Sequence, residues 1–300
     1  MPELDPATLA ERVLRLSRTA PFDLMTAEEL TVLAAVGREQ AFPTRTVLAN
    51  SGERARAHYV PLTGRLALHT DRVELAATAA QSGMGVLSVL GRVPMVGDLV
   101  AEAGTVLLIL DRDALLNILE EHGGVSRSVL RLLASKLLDL RRKAPGAPVT
   151  PPAAPPPRWD LVSRMLLLRE ALGVGMDGLA MVSRLARSTH AGRFARGSAA
   201  WTADQTADVL ILVEGSLRSS RNGVERKVSP GEVLGLVESV AGVPMEAQAT
   251  AIEDTTALVL SHAELAEAIE DEDALCFELI RSFAAQMWSR LTGLSLARPS

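Results

Sequence analysis

The sequence is poor in cysteine, in aromatic residues and in clustered positive charge. Its 300 residues include a single cysteine, Cys276, which excludes an internal disulfide and favours a reducing compartment. Only three Trp, one Tyr and five Phe are present, so the cores must be built from Leu, Val, Ile and Ala. A chain of 300 residues is long enough for two separate cores.

Long apolar runs and basic runs are also missing. Apolar runs such as residues 106–110 are far shorter than the roughly 20 residues of a membrane-spanning helix. The formal net charge of −5 comes without a basic block, which argues against electrostatic binding to nucleic acid or to an anionic membrane. Residues 1–5 lack the pattern of a signal peptide. These absences predict a soluble, cytoplasmic protein with no nucleic-acid or membrane partner.

One segment differs from the rest of the chain in composition. Residues 144–157 consist mainly of proline and alanine. Because proline lacks a backbone donor and fixes φ, this segment is expected to be an extended spacer. The sequence therefore predicts a first domain over residues 1–143, a linker over 144–157 and a second domain over 158–300. The alternative is that the segment docks into an aromatic groove of another protein.

The two halves of the chain repeat one another at a nearly constant distance. Three separate matches have a shift of 150 or 151 positions. Such agreement predicts an internal duplication. The matching pairs are Gly64 and Gly215, residues 93–95 and 243–245 (Val-Pro-Met in both), and residues 107–115 and 257–265.

Each half has the same order of predicted elements. It opens with an amphipathic helix, continues with short strand-like runs separated by Gly, Pro and Asn, and closes with two helices. The apolar stripe on the last helix either covers the domain's own core or forms the seam of a homodimer. The predicted opening helices are residues 6–18 and 159–172, and the predicted closing helices are residues 113–121, 125–142, 263–270 and 274–291.

This organisation resembles the cyclic-nucleotide-binding domain family. The resemblance covers nearly all of the chain outside the termini and the linker. It implies an α+β fold of two tandem double-stranded β-rolls, which are jelly-roll-like, each with a leading helix and two trailing helices. The residues that carry it are Phe42, Val47, Leu48, Gly52, Glu53, Tyr59, Val60 and Gly64 in the first half, and Val213, Glu214, Gly215 and Gly231 to Leu234 in the second.

The resemblance also places the ligand site in a phosphate-binding cassette, a loop with a short helix inside each roll. In the family, a glutamate accepts a hydrogen bond from the ribose hydroxyl, backbone N–H groups face the phosphate, and an arginine pairs with it. The corresponding residues here form two degenerate cassettes. They are Gly231, Glu232, Val233, Leu234, Pro244 and Met245 in the second half, and Gly85, Val86, Leu87, Pro94 and Met95 in the first.

Both cassettes depart from the family pattern at their charged positions. Met245 and Met95 stand where the arginine is expected, Glu246 adds negative charge, and the first cassette also lacks the glutamate. Loss of one member of a buried charge pair costs about 3–5 kcal/mol, so a micromolar site would weaken to roughly millimolar. We therefore expect the protein to have no cofactor, and we disfavour cyclic nucleotide as its ligand. In the alternative, Arg92 reaches the phosphate from another direction.

Four other patterns are weak as functional motifs. Residues 173–178 match G-x-G-x-x-G, but a predicted helix precedes them, so the glycines are expected to end that helix. The five histidines and Cys276 lack metal-ligand spacing, and Ser88 lacks the spacing of a nucleophile elbow. The acidic run over residues 267–273 is expected to be a solvated turn; the alternative is a surface for a basic partner.

The resemblance leaves four functions to compare. A transcription factor would need a helix-turn-helix after the last helix, and a kinase inhibitor would need a basic pseudosubstrate segment; neither is expected from this sequence. The prediction is a non-enzymatic regulatory or scaffold protein that has lost ordinary nucleotide binding and acts through an unidentified protein partner. A homodimer through the trailing helices is a further expectation. The alternative function is a sensor of cAMP or cGMP that relays ligand binding to a partner protein.

Overall fold

The computed structural model describes residues 6–19, 22–23, 25–70, 73–79, 83–143, 160–173, 179–202, 205–221 and 223–293. The chain divides into two compact units. Unit 1 comprises Met1–Leu133 together with Ile280–Ser300, and unit 2 comprises Ala134–Leu279. The predicted linker, residues 144–157, lies outside the described residues, so the predicted domain boundaries stay a prediction.

Each half of the chain contains the same elements in the same order, with one added two-residue strand, β13, in the second half. The first half consists of α1 (Pro6–Leu16), α2 (Ala27–Val36), β1 (Arg38–Phe42), β2 (Thr46–Ala49), β3 (Ala57–Thr63), β4 (Arg65–Thr70), β5 (Val73–Ala79), α3 (Val86–Gly91), β6 (Asp98–Ala101), β7 (Thr105–Asp111), α4 (Arg112–Glu121) and α5 (Gly123–Lys143). The second half consists of α6 (Leu161–Leu172), α7 (Leu179–Ser188), β8 (His190–Phe194), β9 (Ala199–Trp201), β10 (Val209–Glu214), β11 (Leu217–Arg221), β12 (Val224–Val228), β13 (Val233–Leu234), α8 (Leu236–Ala241), β14 (Gln248–Ala251), β15 (Thr255–Leu260), α9 (His262–Asp271) and α10 (Asp273–Thr292).

The described strands of each half form two antiparallel sheets. Their orders are β1-β7-β3 and β2-β6-β4-β5 in the first half, and β13-β10-β15-β8 and β12-β11-β14-β9 in the second. Equivalent strands pair alike: β3 pairs with β7 as β10 pairs with β15, and β4 pairs with β6 as β11 pairs with β14. This is a double-stranded β-roll present twice, so the predicted α+β fold is confirmed.

Strand β7 shows how aliphatic side chains replace aromatic ones in the core. Leu107, Leu108, Ile109 and Leu110 follow one another and are all buried, so both faces of this strand are covered. Full burial of one such side chain contributes about 1.5–3 kcal/mol. The core is built from Leu, Ile, Val and Ala, as the composition predicted.

Each half opens with two helices rather than one. Helices α1 and α6 agree with the predicted opening helices, although Trp159 lies outside the described residues. Helix α2 was not predicted, and it begins with a capping box in which Thr26 and Glu29 bond each other's backbone N–H groups. Helix α7, which buries Val182 and Leu185, was not predicted either. The structure therefore adds a second leading helix to each roll.

The G-x-G-x-x-G segment begins where α6 ends. Gly173 has a φ of 69° and its N–H bonds to carbonyl oxygens of the last helical turn. A left-handed glycine of this kind is a common way to end a helix. This agrees with the predicted role of Gly173, while residues 174–178 lie outside the described part of the chain.

An arginine, buried at Arg12 and partly buried at Arg164, holds each leading helix to the helix that follows it. Arg12 Nη1 donates to the carbonyl oxygens of Ala34 and Gly37 at 3.3 and 2.6 Å, at the end of α2. Arg164 Nη1 donates to the carbonyl oxygen of Thr189 at 3.0 Å, just after α7. A cation stabilises the last carbonyl groups of a helix, which carry partial negative charge. The same contact in both halves supports the predicted duplication.

The trailing helices lie within two residues of their predicted bounds. Most of the apolar stripe on α5 and α10 is buried within the chain itself, as at Leu133 and Phe283, whereas Leu291 near the end of α10 is exposed. Leu133 and Phe283 both belong to unit 1, and the homodimer through the trailing helices stays a prediction. Among the described residues, no helix is both long enough and apolar enough to span a membrane.

Candidate ligand-binding cassettes

The two cassettes are centred on the short helices α3 and α8. Each helix follows a glycine with positive φ, Gly85 at 100° and Gly235 at 78°. A Cβ atom on Gly85 would lie 2.5 Å from the carbonyl oxygen of Ala57, and Gly235 is similarly close to the carbonyl of Asp208. Only glycine fits both constraints. The structure therefore aligns Gly85 with Gly235, not with Gly231.

This register moves Glu232 away from the cassette helix. Glu232 lies in the turn between β12 and β13, where it accepts hydrogen bonds from the backbone N–H of Ser229 at 2.8 Å and from Arg226 Nη1 at 2.5 Å. Gly231 precedes it and donates to the carbonyl oxygen of Leu212. The glutamate that the sequence retains is therefore occupied by local contacts.

Apolar residues begin both cassette helices. Leu236 opens α8 and Val86 opens α3, and both side chains are buried. Val233 and Leu234, named as site residues from the sequence, pair with β10 as strand β13, and Leu87 is partly buried on α3. The residue that opens each cassette helix is therefore apolar rather than an acid that could accept a hydrogen bond from a ribose hydroxyl, and Glu238 is the acid in the first turn of α8.

The methionines after Pro94 and Pro244 point into the protein. Met95 is 3% exposed and Met245 is 5% exposed. Met95 exchanges backbone hydrogen bonds with the segment Gly52–Glu53, and the N–H of Met245 donates to the carbonyl oxygen of Gln205. Both methionines therefore have fixed places in the rolls, at the positions where the family resemblance calls for arginine.

Side chains inside the second roll form one apolar cluster that includes Met245. Trp201 is among them, and its indole N–H donates to the carbonyl oxygen of Ala247 at 2.7 Å. A phosphate in such surroundings would lose its hydration without gaining a partner, at a cost of several kcal/mol. The buried members of the cluster are Trp201, Ala207, Leu210, Leu212, Leu217, Val228, Leu234, Met245, Ala249, Ala251, Ala257 and Val259.

The first roll buries a histidine beside its cassette that sequence reasoning did not single out. The ring of His58 is fully buried, its Nδ1 lies 3.0 Å from the carbonyl oxygen of Met84, and Phe22 contacts it edge to face. Burial lowers the pKa of His58 to about 4, so the ring is neutral near pH 7. The second repeat has Val209 at this register position, so sequence comparison of the halves could have revealed the difference.

Charged residues surround Glu246 on the outside of the second cassette. Arg142 Nε donates to Glu246 Oε1 at 2.7 Å, and Arg221 contacts the other carboxylate oxygen. The hydrogen bond from Arg142 lowers the pKa of the Glu246 carboxyl group, and the charge of Arg221 lowers it further. The negative charge noted in the sequence is therefore neutralised by two arginines.

The alternative cation in the first cassette, Arg92, is exposed. It follows the last residue of α3 and has a φ of 52°, a left-handed conformation that glycine adopts at the equivalent position, Gly242. It is the only non-glycine residue with positive φ among the described residues. Its exposed side chain lies at the C-terminal end of the helix, whereas the family places phosphate at the N-terminal end.

A serine and a histidine meet beside α8 without forming a catalytic triad. Ser239 Oγ lies 3.0 Å from Nδ1 of His262. Asp208 accepts a hydrogen bond from the backbone N–H of His262 rather than from its ring. Ser88, set aside as a nucleophile, accepts from the N–H of Ala55 and donates to the carbonyl oxygen of Val93. In the part of the chain that the structure describes, no group of three metal-ligating side chains was found.

A protein-family model described as the cyclic nucleotide-binding domain matches residues 192–272. The matched range runs from β8 to the end of α9 and includes the whole second cassette. The second repeat is thus similar to this domain family over most of its roll. Because the first repeat has the same elements and the same sheet pairings, the chain contains this fold twice. No curated protein matches the chain in sequence.

Several solved structures share low similarity with the chain. A regulatory subunit of a cAMP-independent protein kinase A from Trypanosoma cruzi, bound to guanosine, is 14% identical, with 89% of this chain and 87% of that chain covered and a TM-score of 0.38. The regulatory domain of Toxoplasma gondii PKA with cAMP is 16% identical, with 90% and 96% covered and a TM-score of 0.36. A putative cyclic nucleotide-binding protein from Geobacter metallireducens is 22% identical, with 42% and 95% covered and a TM-score of 0.36.

Proposed function

We propose that the chain is a non-enzymatic, cytoplasmic regulatory or scaffold protein whose two cyclic nucleotide-binding-like domains have lost ordinary nucleotide binding and act through a protein partner. The environment of Met245 carries this proposal. Its side chain is buried in an apolar cluster, at the position where the family resemblance calls for an arginine. A nucleotide phosphate at this position would therefore have no cation to pair with.

The charges near the second cassette support the same conclusion. Arg142 and Arg221 are the arginines that contact Glu246. An incoming phosphate would have to displace the carboxylate of Glu246 from both arginines, and the carboxylate would then lie unpaired beside it. Such an exchange of one anion for another brings little net electrostatic gain.

A thermal-unfolding experiment with cyclic nucleotides tests the proposal. A sensor is stabilised by about 2.7 kcal/mol when the ligand is present at 100 times its Kd. We expect neither cAMP nor cGMP to change the melting temperature of the full chain, with 5′-AMP as the matched control ligand. Calorimetric binding of either cyclic nucleotide with a micromolar Kd would refute the proposal.

Exposed apolar side chains on the leading helices support a protein partner. Leu14 on α1 is 51% exposed and Leu166 on α6 is 47% exposed, and each lies two positions after the arginine that anchors its helix. Val162, one turn before Leu166, is also exposed. A groove of about 610 Å³ between α1 and α2 is lined mainly by apolar side chains. Clustered exposed apolar surface is typical of protein interaction sites.

The alternative function, a cyclic-nucleotide sensor, is favoured by the family match itself. The matched residues 192–272 include the pair Gly231 and Glu232. Glu232 argues against the sensor function, because its carboxylate already accepts hydrogen bonds from Arg226 and from the backbone N–H of Ser229. The thermal and calorimetric experiments above decide between the two functions, because only the sensor requires nucleotide binding.

A further inference from the structure

Five charged side chains meet at the second cassette, and we name this group the charge latch. They come from three parts of unit 2: the end of helix α5, strand β11 and the cassette. All of them lie within residues 134–279, which form one compact unit. The charge latch consists of Arg141 and Arg142 on α5, Arg221 on β11, and Glu238 and Glu246 in the cassette.

Both acids of the charge latch are approached by arginines from α5. Arg142 and Arg221 contact different oxygens of Glu246, so that neither carboxylate oxygen is left unpaired. Glu238 lies on α8 with a side chain that is 15% exposed, and Arg141 Nη1 lies 3.9 Å from its Oε2. That oxygen has no hydrogen-bond partner among the described residues. A largely buried carboxylate depends on a nearby cation to offset its lost hydration.

The first repeat has no charge at any equivalent position. The strand register aligns Leu66 with Leu217. Leu66 pairs with Ala101 on β6, and Leu217 pairs with Ala251 on the equivalent strand β14. Arg221 therefore corresponds to Thr70, whose Oγ1 donates to the carbonyl oxygen of Val96 at 3.1 Å. The same corner of the first cassette is thus closed by a neutral hydrogen bond. The residues equivalent to Glu238, Glu246, Arg141 and Arg142 are Ser88, Val96, Leu291 and Thr292.

Acids and arginines therefore occur together in one cassette and are absent together from the other. Surface charges that meet by chance would not be expected to be present together in one repeat and absent together from the other. The pattern is expected if the charges act as one group, because a carboxylate without its arginines would be left partly buried and unpaired.

We propose that the charge latch holds the end of α5 on the second cassette in place of a bound ligand. This inference rests on the proposed function, because it treats the cassette as closed without nucleotide. Arg142 and Glu246 are both partly exposed, so salt screens their attraction. High salt or loss of either acid therefore frees the end of α5 and loosens the cassette, whereas the uncharged corner of the first cassette does not respond.

Hydrogen exchange on the full chain tests the charge latch. The variants are Glu246→Gln, Arg142→Gln and the double variant, and the measured peptides cover residues 134–143 and 236–246. We expect each single variant to speed exchange in both peptides by about three- to fivefold, the range for a partly exposed ion-pair network. The double variant should be no faster than Glu246→Gln, because that single substitution already removes the contact with Arg142.

Two controls accompany this experiment. Glu74→Gln removes the partner of Arg65 on neighbouring strands of the first roll, a pair of similar exposure, and should leave both latch peptides unchanged. At about 1 M salt, where the Debye length is about 3 Å, wild-type exchange should approach that of the variants. The peptide over residues 86–96 in the first cassette should not respond to salt.

Unchanged exchange in Glu246→Gln would overturn the inference, as would a double variant whose effect equals the product of the single effects. If Glu246→Gln does not fold, Arg142→Gln at the exposed end of α5 replaces it, and unchanged exchange in that variant would likewise overturn the inference. Titration of wild-type protein with cAMP keeps the two proposals apart. Micromolar binding refutes the proposed function, whereas unchanged exchange without nucleotide binding refutes the charge latch alone.

Discussion

Single residues determine what each cassette can hold. The two methionines after the cassette prolines are buried, and Met245 belongs to one apolar cluster with Trp201 and aliphatic side chains. A thioether fills irregular apolar space well and offers only a weak acceptor to a polar ligand. The second roll therefore uses as core the position at which a nucleotide-binding domain needs a cation.

Restoring the missing arginine tests this interpretation. We expect Met245→Arg to lower the free energy of unfolding by about 3–5 kcal/mol, because the guanidinium would be buried without a partner, and to give no binding of cAMP. Urea denaturation and calorimetry measure the two effects. The control Met245→Leu keeps an apolar side chain and should cost less than about 1.5 kcal/mol. A stable arginine variant that binds cAMP would contradict this account.

The sequence predicted the position of both methionines but not the role of Glu232. Matching Gly231 and Glu232 to the family pattern was reasonable from local sequence alone. The correct register depends on Gly235, whose positive φ and close approach to the Asp208 carbonyl are properties of the folded backbone. A glycine that starts each cassette helix was visible in the sequence, but its conformation was not.

At the scale of elements, each leading helix is anchored by an arginine, and the one in the first half is buried. Arg12 is 8% exposed, and besides its bonds to α2 its Nε donates to Glu39 Oε1 at 2.9 Å. One side chain thus joins α1, the end of α2 and strand β1. Charge-assisted hydrogen bonds of this kind are about twice as strong as neutral ones.

Removal of this arginine should loosen the start of the first repeat. We expect Arg12→Ala to lower the free energy of unfolding by about 2–3 kcal/mol, because it leaves buried carbonyl groups without donors. Equilibrium urea unfolding measures the change. The matched control is Arg15→Ala on the same helix, which breaks only a partly exposed pair with Glu11 and should cost about 0.5 kcal/mol or less. Equal effects of the two substitutions would argue against the anchor.

Long helices were easier to predict than short ones. The bounds of α5 and α10 followed from sustained apolar spacing, which is a strong signal over 20 or 21 residues. Helix α2 was missed because its apolar residues lie all round the helix and give no single stripe, although its capping box was visible in Thr26 and Glu29. Helix α7 does have an apolar stripe at Val182 and Leu185, so its omission was avoidable.

At the scale of the whole molecule, the two repeats keep one architecture and differ in how their cassettes are closed. In unit 2 the end of α5 meets the cassette through charges. In unit 1 the C-terminal part of α10 meets the cassette helix α3 through close packing, since a Cβ atom on Gly91 would lie 2.9 Å from the backbone nitrogen of Ala285. Charged and apolar contacts respond differently to salt, so we expect the second cassette to respond to salt and the first to be insensitive.

The substitution Gly91→Ala tests the packed contact. The added methyl group would meet the backbone of Ala284 and Ala285, with no flexible side chain to move aside. We expect faster hydrogen exchange over residues 280–292 and a loss of about 1–3 kcal/mol in the free energy of unfolding, as for other overpacked sites. Exchange over residues 134–143, at the end of α5, should stay unchanged.

Gly124→Ala is the control for this experiment, because it also replaces a helical glycine. Its Cβ atom would approach only Glu29 Oε1, at 3.9 Å, so this variant should be as stable as wild type or more stable by up to about 1 kcal/mol. If both alanine variants were stabilised alike, α10 would not depend on close contact with α3. The first cassette would then not be closed by packing against α10, and only the charge latch in unit 2 would remain as a described closure.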